Sequence, residues 1–160
     1  MTSYQFRHAL VAVWLMAAGV VAAQPSATPQ GKPQTGLPTI TLKIGNHNVR
    51  ADIAHTDGTR QSGLMFKQKM PKQEGMLFVF PDIAYHAMWM RNTLIPLSVA
   101  YINERGEILS IHEMEALSEV SHQSAGPARY ALEMNAGWFS GNKIKVGDSI
   151  KGLEKAPKPQ

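Results

Sequence analysis

Residues 97–112 read LSVAYINERGEILSIH, and this stretch indicates the fold most clearly. Leu97–Ile102 and Glu107–His112 are rich in the β-branched, aromatic and aliphatic residues that strands prefer. The four residues between them, Asn103–Gly106, have Asn first and Gly fourth, as a type I turn prefers. The stretch therefore predicts a β-hairpin.

Short segments of similar character recur along the chain. The run Met76–Phe80 is apolar throughout and is followed by Pro81, which is typical of a strand buried on both faces. Many short strands and little helix predict an α+β fold that is mostly β, a compact single domain built as a twisted sheet or small barrel with short helices. Besides the hairpin and this run, the predicted strands are Thr39–Ile44, Val49–Ala54, His86–Asn92, Arg129–Met134 and Ser149–Leu153, and the predicted helical segments are His55–Leu64 and Gly137–Gly141.

The composition excludes several classes of function. The 160 residues include no cysteine, which excludes disulfides, Cys-ligated zinc, iron–sulfur clusters and thiol catalysis. The net charge is +4, but between Thr39 and Ile150 the chain holds 11 Lys and Arg against 11 Asp and Glu. Because the excess positive charge lies in the two tails and not on the domain, we expect no binding to nucleic acid.

The first 23 residues have the pattern of a secretory signal peptide. Basic residues near the start precede an uncharged run of 15 residues, and Val21-Ala22-Ala23 supplies the small side chains that signal peptidase recognises. The alternative is an uncleaved anchor, although a span of the bilayer needs roughly 20 apolar residues. We expect cleavage after Ala23 and a periplasmic or secreted protein without a stable membrane span.

The remaining chain divides by composition. Residues 24–38 are rich in Pro, Gln, Ser and Thr and are predicted to be a disordered linker. Residues 39–153 are predicted to form the single globular domain. Residues 154–160, rich in Lys and Pro, are predicted to be a disordered tail.

A polar segment next to a tryptophan is the first candidate site. Trp89, Arg91, Asn92 and Thr93 combine an aromatic stacking face with hydrogen-bonding groups, and Glu133 is the acidic residue we expect beside them. The alternative for Asn92 and Thr93 is that they satisfy local backbone amides in a turn. The favoured interpretation is a binding or accessory module of the cell envelope that holds a small ligand or a partner protein and needs no cofactor.

Two other functions stay open. On an extended strand, His86, Met88 and Met90 would share one face, and His112 and Met114 repeat the His-x-Met spacing, so Cu(I) binding is one alternative and core packing of the methionines another. The second is a hydrolase or transferase built on Glu133, His112 and Asn92. No phosphate loop, nucleophile elbow or zinc-helix motif is present in the sequence.

Several blocks resemble a known family, the bacterial and archaeal "domain of unknown function 192". The resemblance covers about Ile40 to Leu153 and implies a small β-rich domain, often exported, without an established activity. Three positions differ from the family's usual residues: Arg91 in place of Lys, Ser98 in place of Asp, and Met88 in place of an aromatic residue. The matching blocks are Gly63-Leu64-Met65, Glu74–Phe80, Trp89–Thr93 with Pro96-Leu97, Tyr101-Ile102, Pro127–Glu133, Asn135–Gly137 and Val146–Asp148.

Overall fold

The computed structural model of the protein describes residues 29–160, so the predicted signal peptide and the first part of the predicted linker lie outside the described residues. Of the described residues, 41% are in strands and 10% in helices, which confirms the mostly β fold. The strands are β1 (Thr39–Ile44), β2 (His47–Ala54), β3 (Glu74–Ala84), β4 (Ala87–Met88), β5 (Leu97–Ile102), β6 (Ile108–Met114), β7 (His122–Gln123), β8 (Ala128–Asn135) and β9 (Ile150–Lys151). The helices are α1 (Asp57–Ser62) and α2 (Trp138–Gly141), and Leu153–Lys155 forms a 3-10 turn.

Seven of these strands form one sheet in the order β6-β5-β8-β3-β2-β1-β9, and β4 and β7 form a separate two-stranded sheet. Strands β2 and β3 are parallel and are connected through α1, while the other neighbours are antiparallel. The edge strands meet at one end, where Ile108 N–H donates to Asp148 O at 2.9 Å and Ile150 N–H donates to Gly106 O at 2.8 Å. The sheet therefore curls into a half-barrel.

Each face of the sheet packs against its own apolar cluster. The first cluster includes Leu77, Val79 and Leu132 and is covered by Trp138 and Phe139 of α2. The second cluster lies on the opposite face. It includes Met76, Phe78, Phe80, Val99, Tyr101, Ala131 and, from the covering segments, Leu64, Met70 and Met90.

The predicted strand at His86–Asn92 is wrong beyond its first residues. Pairing stops at Met88, because Met90 N–H donates to Ser118 O and not to a neighbouring strand. The chain then turns at Asn92, whose φ of 57° is left-handed, a conformation that Asn tolerates better than most residues. The alternation of side chains that the sequence suggested for this segment therefore does not occur.

Strand β3 also differs from its predicted end at Pro81. It continues to Ala84, and its register with β8 shifts between Val79 and Ala84. Proline has no N–H to donate, and a bulge is where a sheet tolerates it. The guanidinium of Arg129 donates to the carbonyl oxygens of Phe80 and Pro81, both at 3.1 Å, and satisfies the carbonyls of the irregular stretch.

Ser98 has a structural role. Its hydroxyl is fully buried, donates to Glu113 at 2.7 Å and accepts from Gly137 N–H at 2.8 Å. Gly137 precedes α2 in a left-handed conformation, with φ 73°. The Ser98–Glu113 pair thereby fixes the start of α2 against β5 and β6.

Segments on either side of the predicted domain lie against it. Gln34, within the predicted linker, donates through its amide to Thr59 O at 3.0 Å and Gly63 O at 2.8 Å. Gln160, the last residue of the predicted tail, donates through its N–H to His55 O at 2.8 Å. Among residues 29–160, no helix is long and apolar enough to cross a membrane.

Candidate ligand-binding site

A cleft of about 370 Å³ opens beside the second apolar cluster. Its walls come from the end of α1 and the residues after it, from the middle of β3, and from the segment around β4. Glu133 of β8 lies at its floor. The volume falls in the range that small-ligand sites occupy.

Glu133 is the most unusual group in the cleft. Its partners across the sheet are Met76 and Val99, both members of the second cluster, so its side chain enters that apolar face. Only 3% of Glu133 is exposed, and its carboxyl group forms no hydrogen bond or ion pair within residues 29–160. Burial raises the pKa of Glu133 to about 8, because the charged form loses its hydration. The floor of the cleft is therefore a carboxylic acid that is largely protonated at neutral pH.

Aromatic and thioether side chains surround this acid. Phe78 and Phe80 line the cleft from β3, and the ring of His86 stacks on Phe80 with 3.6 Å between ring centroids. Met88 lines the same space and is partly buried. Trp89 stands at the mouth with 46% of its surface exposed. Aromatic and thioether side chains thus surround the acid, while Arg60, Asp82 and His86 add ionisable groups to the same walls.

Arg60 lines the cleft, but both terminal nitrogens of its guanidinium are engaged elsewhere. One terminal nitrogen donates to His55 O at 2.6 Å and to Val79 O at 3.0 Å. The other donates to Gln160 O at 2.9 Å and pairs with Asp57. Arg60 therefore fixes α1 to the sheet and does not neutralise Glu133.

The structure brings together three of the five predicted site residues. Trp89, Thr93 and Glu133 all line the cleft, whereas Arg91 and Asn92 do not. Arg91 is exposed on the outside, where its guanidinium lies 5.6 Å from the centre of the Trp89 ring and 4.0 Å from Glu119. Asn92 forms the turn, accepts from Phe66 N–H at 2.8 Å and approaches Met65 Sδ at 3.9 Å.

The residues considered for Cu(I) do not lie together on one face of a strand. Met90 and Met114 are buried within the second cluster, which is the core-packing role, and His86 stacks on Phe80. His112 lies on β6, where its ring centroid is 5.8 Å from that of His122. Within residues 29–160, no group of three or more His, Asp or Glu side chains could hold a metal ion.

The residues considered for catalysis do not converge on the cleft. Glu133 and His112 lie on one face of the sheet on either side of Val99, but only Glu133 lines the cleft. Burial and the neighbouring His122 lower the pKa of His112. Its Nε2 is buried without a hydrogen-bond partner in the described part of the chain.

Sequence reasoning missed the aromatic walls. Phe78 and Phe80 belong to a run that reads as continuously apolar, so nothing local distinguishes them from Leu77 and Val79. The pairing of Met76 with Glu133 shows which alternate residues of β3 share its face. Because that pairing joins residues far apart in the chain, no local pattern in the sequence indicates which side chains line the cleft.

One family model covers most of the described chain. Residues 40–152 match the model of DUF192, described as "Uncharacterized ACR". The chain is similar to a solved structure of a Novosphingobium aromaticivorans protein of unknown function, with 30% identity, 84% of this chain and 100% of that chain covered, and a TM-score of 0.71. It is also similar to a Sinorhizobium meliloti structure proposed to be a transcription regulator, with 29% identity, 75% of this chain and 98% of that chain covered, and a TM-score of 0.71. No curated protein matches it. The chain therefore belongs to the DUF192 family.

Proposed function

We propose that this protein is a small-ligand binding module and that the cleft above Glu133 holds the ligand. The observation that carries the proposal is the buried carboxyl of Glu133, which has no hydrogen-bond partner within residues 29–160 although it opens onto a cleft. A ligand that hydrogen-bonds to this group would supply the partner that the described residues do not supply.

The contacts of the cleft residues support binding over catalysis. Two alcohols line the cleft: the Ser62 hydroxyl at the end of α1 donates to Gly58 O at 2.9 Å, and the Thr93 hydroxyl lies 3.5 Å from Arg91 O. His86 Nε2 lies 3.2 Å from the carbonyl oxygen of Asp82. Within residues 29–160 neither hydroxyl is hydrogen-bonded to His86 or Glu133, so the pair of nucleophile and base that covalent catalysis uses is not formed.

Fragment binding observed by NMR on the ¹⁵N-labelled protein tests the proposal. We expect bound fragments to shift the indole N–H signal of Trp89 at the mouth, but not that of Trp138 in the first cluster. Trp89→Ala should weaken their binding about tenfold because it removes a stacking face. Val120→Ala, at another exposed apolar residue outside the cleft, is the matched control and should bind as the wild type does. Fragments that leave Trp89 unshifted, or that bind Trp89→Ala with unchanged affinity, would contradict the proposal.

We also propose that the module works outside the cytoplasm, in the periplasm or after secretion. The support is the signal-peptide pattern of residues 1–23. Fractionation of cells that express the full chain should yield a periplasmic or secreted product, with Gln24 as its first residue by mass spectrometry. A product of full mass in the cytosol would contradict export, and one in the membrane would indicate an uncleaved anchor.

A further inference from the structure

We infer that the ligand presents an organic cation, a primary ammonium or a guanidinium on an apolar body, to the carboxyl group of Glu133. The inference rests on the proposed function and names its ligand class. It is carried by the cleft's charges and its aromatic walls.

The charged groups of the cleft favour a cation over an anion. Four ionisable side chains line it: Arg60, Asp82, His86 and Glu133. The only permanent cation among them, Arg60, already holds Asp57 and three carbonyl oxygens. An anionic ligand would therefore meet the carboxyl group of Asp82 and a guanidinium whose two terminal nitrogens are already engaged. A cationic ligand would meet Asp82 and would pair with Glu133 once that carboxyl group releases its proton.

The aromatic residues in the walls of the cleft also favour a cationic ligand. A cation is attracted to the faces of aromatic rings, most strongly when water is excluded. Phe78, Phe80 and Trp89 line the space above Glu133, with His86 already on one face of the Phe80 ring. Trp89 already holds one cation on its ring, the guanidinium of Arg91 at 5.6 Å. The apolar surface between the rings suits a hydrocarbon body behind the charged group.

Binding of a cation should release a proton from Glu133. In the free protein near pH 7 the carboxyl is mostly protonated, because burial raises its pKa to about 8. Other titratable groups face it from each packed element: Tyr101 and His112 on the same sheet face, and Arg60, Asp82 and His86 around the cleft. The Tyr101 hydroxyl donates to His122 O at 2.6 Å and is further from ionisation than a free phenol, because burial and Glu133 raise its pKa. Glu133 is thus the group whose proton a bound cation displaces.

Three probes of nearly equal shape separate the alternatives: benzylammonium, benzyl alcohol and benzoate. We expect the wild-type protein to bind benzylammonium at least tenfold more tightly than benzyl alcohol, and benzoate least of all. Calorimetry at pH 7 in two buffers of different ionisation enthalpy should show release of close to one proton with benzylammonium and none with benzyl alcohol. The affinity for benzylammonium should rise about tenfold from pH 6 to pH 7.

Glu133→Gln is the decisive variant because it keeps the shape and removes the ionisable group. It should abolish the preference for benzylammonium and the proton release, while benzyl alcohol still binds. Glu104→Gln, at an exposed turn residue outside the cleft, makes the same side-chain substitution and should behave as the wild type does. Benzyl alcohol or benzoate bound at Trp89 as tightly as benzylammonium would overturn the cation inference and leave the binding function standing. No binding of any probe at Trp89 would overturn both.

Discussion

The wild-type protein is expected to lose stability as the pH rises from about 4.5 to about 8, and Glu133→Gln is expected to remove most of that loss. The pKa of Glu133 is raised in the folded protein from 4.5 to about 8. Between these values the folded state holds a proton that the unfolded state has lost. The stabilisation is therefore complete below the unfolded value and disappears as the pH rises through the folded one.

The size of this effect makes it measurable. Each pH unit inside the window costs about 1.4 kcal/mol, so the free energy of unfolding should fall by roughly 3 to 5 kcal/mol across it. His112 acts in the opposite sense, because its lowered pKa makes the protein more stable as the pH rises toward 6.5. The difference between wild type and Glu133→Gln isolates Glu133 from this and from other groups.

Urea unfolding at a series of pH values measures that difference. We expect the variant to gain stability relative to the wild type steadily from pH 5 to pH 8. Glu104→Gln should show no such trend, since its carboxyl group is exposed. A constant difference across this range would mean that Glu133 titrates normally and is not held in an apolar cleft.

Gly75→Ala is expected to destabilise the protein by about 3 kcal/mol or more. Gly75 lies on β3 between Ala51 of β2 and Met134 of β8. A β-carbon there would lie 2.5 Å from the sulfur of Met134 and less than 3.0 Å from the carbonyl oxygen of Glu133. The methionine side chain can move, but the carbonyl belongs to the backbone of a central strand, so β3 and β8 must separate. Overpacking of this kind in a dense interior is costly.

The matched control for that substitution is Gly58→Ala in α1. A β-carbon at Gly58 meets nothing within 4 Å. Alanine is also the better helix former by about 1 kcal/mol, so this variant should be neutral or slightly more stable. Thermal unfolding of both variants measures the contrast. Equal melting temperatures for Gly75→Ala and wild type would show that β3 and β8 are not packed as closely as described.

The sequence predicted the elements whose structure depends on residues close together in the chain. The hairpin of β5 and β6 combines two strand-forming segments with a turn of suitable residues, and it forms as expected. The strand predicted at His86–Asn92 failed because Met90 bonds to Ser118, some 28 residues away in the chain. The parallel pairing of β2 with β3 is likewise a long-range contact that no local pattern reveals.

The candidate site was predicted only in part for the same reason. Trp89, Thr93 and Glu133 meet in the cleft, but the turn at Asn92 points Arg91 away from it. Trp89 lines the cleft and Arg91, two residues later, does not. Glu133, 44 residues after Trp89, lines the same cleft. That Glu133 has no partner among the described residues is a property of its three-dimensional surroundings and cannot be seen in the sequence.

A crystal structure of the protein with benzylammonium tests the central claim most directly. The account predicts the ammonium nitrogen within about 2.7 to 2.9 Å of a Glu133 carboxylate oxygen, with the benzyl ring between the side chains of Trp89 and Phe80. Benzylammonium bound elsewhere on the surface, or seated in the cleft with its nitrogen turned away from Glu133, would contradict it.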